Sequence, residues 1–119
     1  MLVGTLCRAT SGALVLQRVW LARSAWERMR GLLGRPPLAA DEGMLITHCG
    51  FVHTLGMRYA LDLAFIDRDD RICKLVSALR PGRVAGSRSA VSTLELAPGT
   101  LAATGLKAGD HVTWKEIRQ

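Results

Sequence analysis

His48, Cys49, His53, Arg58 and Asp62 crowd into residues 48–62, and together with Cys73 and Arg30 they are side chains whose types could do chemistry. Zinc is one reading, because His48, Cys49 and His53, with Asp62 or Cys73 as a further ligand, are the right donor types. The His-Cys-x3-His spacing matches neither a helical i, i+4 pair nor the paired knuckles that fix a tetrahedron, so no metal ligand is assigned. Covalent catalysis is another, with Cys49 as nucleophile and His53 as base. It needs a thiol activated by a nearby cation or helix N-terminus, and a His four positions along the chain does not supply that by itself. The third reading is non-covalent recognition of a small or peptidic anionic partner. Arg30, Arg58 and His53 would donate hydrogen bonds to it above an apolar floor of strands.

Each reading has a structural counterpart. Asp62 can be a buried carboxylate tied to Arg58 or to backbone N–H groups, since an unpaired buried charge is costly. His53 and Thr54 can close a loop through hydrogen bonds, and Met57 can fill the core. The candidate ligand-binding set is therefore His53, Thr54, Met57, Arg58, Asp62 and Arg30, without an established catalytic constellation. A metal-dependent or cysteine-dependent enzyme centred on Cys49, His53 and Asp62 is the alternative to a binding module.

Strands must position these groups. Leu61, Leu63 and Phe65 alternate with Asp62 and Ala64 before Asp67-Arg68-Asp69-Asp70 breaks the run. Arg71 to Leu79 then returns as the second strand of a hairpin. Gly43 to Thr47 and Phe51 to Thr54 read as short strands around Cys49-Gly50, preceded by strands over Ala13 to Leu16 and Val19 to Ala22. The N-terminal stretch, Met1 to Leu16, reads as the first strand region. Leu79 to Ser89, rich in Arg, Gly and Ser, is expected to be an exposed loop. Val91 to Leu96 follows as a strand on which Glu95, between Leu94 and Leu96, is expected to face solvent. A short helix spans Thr100 to Thr104, with Thr100 as N-cap and Gly105 as the stop, and His111 to Ile117 is the last strand.

A longer helix is expected after the capping box Ser24-Ala25-Trp26-Glu27, in which the Ser24 hydroxyl and the Glu27 carboxylate serve each other's backbone N–H groups. Trp26, Met29 and Leu33 form its apolar stripe, and Gly34 with Pro36-Pro37 ends it. The sum is a single-domain α+β fold over 1–119. Its sheet is mainly antiparallel and curled toward a barrel, with one longer and one short helix.

At 119 residues the chain is long enough for one core without staples, and its three cysteines, at spacings of 42 and 24, fit neither a disulfide framework nor a paired zinc knuckle. No apolar run approaches the roughly 18 residues of a membrane span. The N-terminus makes a poor signal peptide, so the expected location is cytoplasmic, without a membrane partner. Thirteen of the 16 basic residues are Arg, and the net charge is +6. That footprint alone does not make a nucleic-acid binder: the six aromatics form no basic-aromatic stripe, and no helix-turn-helix pattern is present. Neither G-x-G-x-x-G nor a phosphate loop occurs, and no cofactor is implied. Asp67 to Asp70 lacks the Gly and closing Glu of a calcium loop.

Four segments in register carry a resemblance: Glu27-Arg28-Met29-Arg30-Gly31-Leu32-Leu33-Gly34-Arg35; Glu42-Gly43-Met44-Leu45-Ile46; His53-Thr54-Leu55-Gly56-Met57-Arg58 leading into Leu61 to Asp67; and Leu94-Glu95-Leu96-Ala97-Pro98-Gly99-Thr100 with Gly105 to Asp110. In these the chain resembles the domain of unknown function 192 family of small prokaryotic proteins. Ala60 stands where that family usually has Pro, and Asp70 where a turn Gly is usual. The resemblance implies a compact β-rich domain and supplies no activity. The function expected is that of a non-enzymatic module binding an unknown small-molecule or protein ligand.

Overall fold

The computed structural model describes residues 1–24, 27 and 36–117. Nine strands are β1 (Leu2–Arg8), β2 (Leu14–Ala22), β3 (Glu42–Thr47), β4 (Phe51–His53), β5 (Leu61–Asp67), β6 (Ile72–Leu79), β7 (Val84–Gly86), β8 (Ala90–Leu96) and β9 (Val112–Glu116). A helix, α1 (Thr100–Thr104), lies between β8 and β9. Seven strands form one sheet in the order β6-β5-β8-β3-β2-β1-β9, while β4 and β7 pair as a separate ribbon. All pairings are antiparallel except β2 with β3, which need the crossover through residues 23–41 that parallel neighbours require.

Central strands β5 and β8 are buried on both faces. Ala64, Ile66, Leu94 and Leu96 join Leu6, Leu16 and Val19 in a first core that α1 covers with Leu101. Leu61, Leu63 and Phe65 join Ala22, Met44, Ile46 and Val52 in a second. The expected hairpin is β5–β6, where Asp67 Oδ1 accepts the N–H groups of Asp69 and Arg71 and Asp70 takes φ 61°. Asp70 thus holds the left-handed conformation for which Gly is usual, one that a short polar side chain tolerates.

Three expectations change. The stretch read as two strands before Ala22 is one continuous β2. The loop read over Leu79 to Ser89 contains β7, too short to register in a Gly- and Arg-rich context. The sheet does not close into a barrel: β6 and β9 remain edges, joined by an isolated Arg71–His111 bridge and by the N–H of Val112 donating to the Asp70 carbonyl at 3.1 Å. Beyond that tie β9 follows β1, and a cleft of about 200 Å³ opens there between Leu6, Ile66, Asp70 and Trp114.

Ser24 and Glu27 make the expected capping-box bonds. The N–H of Glu27 donates to Ser24 Oγ at 3.0 Å, and Glu27 Oε1 accepts the N–H groups of Ser24 and Arg23. The rest of the stretch expected to form the longer helix, with Trp26, Met29, Arg30 and Leu33, lies outside the described residues. Among the described residues no helix is long and apolar enough to cross a membrane.

Candidate functional site

The ribbon β4–β7 lies over the second core. Val52 and its register partner Ala85 turn inward, Val52 to full burial. Alternation along a strand then sends Phe51, His53 and the partner of His53, Val84, outward. Phe51 is 57% exposed and Val84 59%, and Leu55, just past the end of β4, is 59% exposed. Gly86 faces Phe51 across the ribbon, and a Cβ there would stand 3.2 Å from the Phe51 ring, so its lack of a side chain lets the ring lie flat. Lys74 Nζ anchors the ribbon to β6 by donating to the Gly86 carbonyl at 2.8 Å.

Thr54 fixes the loop at the end of this ribbon. Its Oγ1 donates to the Arg80 carbonyl at 2.6 Å and accepts the Arg83 N–H at 2.9 Å, while its own N–H donates to the Arg83 carbonyl. Its carbonyl accepts the N–H groups of Met57 and Gly82. Met57 packs, half-buried, against the second core, and Arg58 is exposed.

Asp62 faces elsewhere. Ser77 and Ala78 together oppose it in a bulge of β6, and its Oδ1 accepts the Ala78 N–H at 2.8 Å. Its Oδ2 accepts the Leu101 N–H, in the first turn of α1, at 3.0 Å. The N-cap of α1 is Gly99 rather than the expected Thr100, and Gly99 offers no side-chain cap, so a carboxylate from a distant strand does that work. The structural reading of Asp62 as a carboxylate tied to backbone N–H groups describes this geometry; Arg58 is not its partner.

The candidate residues therefore separate. His53, on the ribbon, and Arg58 are exposed, Thr54 and Met57 hold the loop between them, Asp62 is buried on β5, and Arg30 lies outside the described residues. Cys49 Sγ donates to the Phe51 carbonyl, and Cys73 Sγ to that of Phe65. Among the described residues no three His, Cys, Asp or Glu side chains gather where a metal could be held. Cys49, His53 and Asp62, the centre of the alternative enzyme, therefore form no such group.

Two features escaped the sequence reading. Residues 48–61 and 71–94 contain Arg58, Arg71, Lys74, Arg80, Arg83 and Arg88 and no acidic residue, a signal that tallying charge over thirds of the chain hides. The second is Glu95, expected in solvent but 5% exposed. Its strand is central, with a core on each face, so alternation sends it from one core to the other. Burial pushes its carboxyl up to about 7.

Comparison with known proteins agrees with this architecture. A Sinorhizobium meliloti 1021 protein of solved structure, provisionally named a transcription regulator, is 27% identical with a TM-score of 0.79; the match covers 95% of this chain and 92% of that one. A Novosphingobium aromaticivorans protein of unknown function is 24% identical with a TM-score of 0.76, over 94% of this chain and 84% of that one. No curated protein matches the chain. The family model described as DUF192, uncharacterized ACR, matches residues 7–114, and by that match the chain belongs to the DUF192 family.

Proposed function

We propose that this chain is a non-enzymatic binding module whose β4–β7 ribbon receives an acidic, partly apolar peptide segment of a protein partner. One observation carries the reading: Phe51 and Val84 on the ribbon and Leu55 just past it are exposed, as are His53 and Arg58, within stretches that hold six Lys and Arg and no acid. An exposed apolar cluster rimmed by charge of one sign is a feature of interaction sites, and Arg suits bidentate capture of carboxylates. His53 and Arg58 contact the partner, Thr54 and Met57 hold the loop that presents them, and Asp62 acts from behind as a positioning residue.

The test is fluorescence anisotropy with a labelled Asp/Glu-rich peptide carrying Leu and Phe, against its Lys-rich counterpart, duplex DNA and anionic vesicles. The acidic peptide should bind best, and Arg58→Ala and Phe51→Ala should each weaken it by about tenfold, the effect of losing a central anchor. Equal binding of acidic and basic peptides, or an Arg58→Ala variant as tight as the parent, would sink the reading. Preference for duplex DNA would replace it with the role that the name of the Sinorhizobium relative carries.

A further inference from the structure

Glu95 faces the second core, 5% exposed, with no hydrogen-bond partner among the described residues. Its register partners are Met44 on β3 and Leu63 on β5, both fully buried, and residues paired across strands share a face, so its carboxyl stands over an apolar floor. Among the described residues it makes no hydrogen bond or ion pair; the acids that do pair with cations are Glu27 and Asp110. Tyr59 packs against the same core, and its hydroxyl is buried without a partner. Burial first, and then the charge of Glu95, push the Tyr59 phenol up. Trp20, Leu38 and Met57, each partly exposed, border this core.

Buried polar groups are nearly always hydrogen-bonded in folded proteins, and two that face one core without a hydrogen bond are what a binding site leaves for its ligand. We propose that Glu95 and Tyr59 are the recognition pair of a small-molecule site on this face, and that its ligand is an organic amine, an ammonium group on an apolar body.

The chemistry selects the class. An anionic ligand would meet the Glu95 carboxylate, whereas an ammonium brings the counter-charge that a buried carboxylate lacks, with N–H donors for it and for the phenol oxygen. Its apolar body would rest on Met57 and Leu38, and the indole of Trp20 and the ring of Tyr59 are faces a cation favours. A metal ion is a poor fit, because one carboxylate and one phenol do not make a coordination set. The inference is independent of the ribbon reading, since neither Glu95 nor Tyr59 belongs to the outward face.

Calorimetric titration of the full chain with phenethylamine and hexylamine, beside hexanol and hexanoate, tests it. The amines should bind at least about tenfold more tightly than the alcohol, and hexanoate least. Glu95→Gln, which keeps the shape, should remove the preference for amine over alcohol, and Tyr59→Phe should weaken amine binding severalfold. Phe51→Ala should leave amine binding as it is, so failure at the ribbon and failure here are told apart. Amine and alcohol binding alike, no amine binding at millimolar concentration, or a Glu95→Gln variant that keeps the amine preference would each overturn the proposal; the first two need no variant to fold.

Discussion

Raising the pH from about 4.5 to about 7 should cost this protein about 3 kcal/mol of stability through Glu95 alone. Burial takes its carboxyl from an ordinary 4.5 to about 7 in the fold. Each pH unit between those values is worth about 1.4 kcal/mol, and roughly two and a half separate them. Below 4.5 the group is protonated folded and unfolded, and nothing changes with pH. Between 4.5 and about 7 the folded protein keeps a proton that the unfolded chain releases, so stability falls as pH rises; above about 7 the loss is complete. Urea unfolding of the parent and of Glu95→Gln, from about pH 4.5 to about pH 8, isolates the group, because every other titration is common to both. At a slope of about 1.5 kcal/mol per molar urea, the parent midpoint should drop by about 2 M relative to the variant across that range. Two midpoint curves that run parallel with pH would refute the reasoning, since they would mean that water or another polar group reaches the carboxylate in the folded state.

Other perturbations follow from named contacts. Asp62→Asn leaves one carbonyl oxygen for the two N–H groups of Ala78 and Leu101, and should cost about 1–3 kcal/mol in chemical unfolding. Thr54→Val keeps the volume but strips the hydroxyl that serves Arg80 and Arg83, for a similar loss, and should speed amide exchange over residues 80–83. Gly4→Val puts a Cβ against the Lys115 carbonyl and the Trp114 ring, so β9 must separate from β1; a lowered thermal midpoint, with about 1–3 kcal/mol or more lost to overpacking, is expected.

Where a pattern was local, the sequence could be read. The alternation of Leu61 to Ile66, the Asp-rich turn and the Gly105 stop gave β5, β6 and the end of α1, because turn chemistry and period-2 burial act over a few residues. The Ser24–Glu27 box was legible for the same reason. What depended on distant chain was not. β7 exists because Val84 to Gly86 find β4 some thirty residues upstream, and a single Val beside Ala and Gly is too little to mark a strand locally. Glu95 looked solvent-facing because alternation states only that neighbours point opposite ways; that both directions are core depends on β3 and β5 flanking β8. For Asp62 the structural alternative, a carboxylate tied to backbone N–H groups, fits the geometry, but its partner Leu101 lies 39 residues away and no local pattern names it. Of the candidate residues, His53 and Arg58 are both exposed, and the outward turn of Phe51 and Val84 was invisible until the ribbon formed.

The pairing of β9 with β1 also governs how the molecule is made. Gly4 meets Glu116 across that ladder, so the contact completing one edge of the sheet joins segments more than about a hundred residues apart. Non-local pairing slows folding, and a growing chain presents β1 with one unpaired edge until the final strand has emerged from the ribosome. Until then the row of open N–H and C=O groups on β1 is a template for another copy of the chain. Chains halted near Gly109 would carry that edge permanently, together with the gap left by the Trp114 indole, whose N–H donates to the Val19 carbonyl at 3.0 Å. Synthesis rate through β9 and protection of this edge by a chaperone would therefore bear on yield alongside the stability of the finished domain.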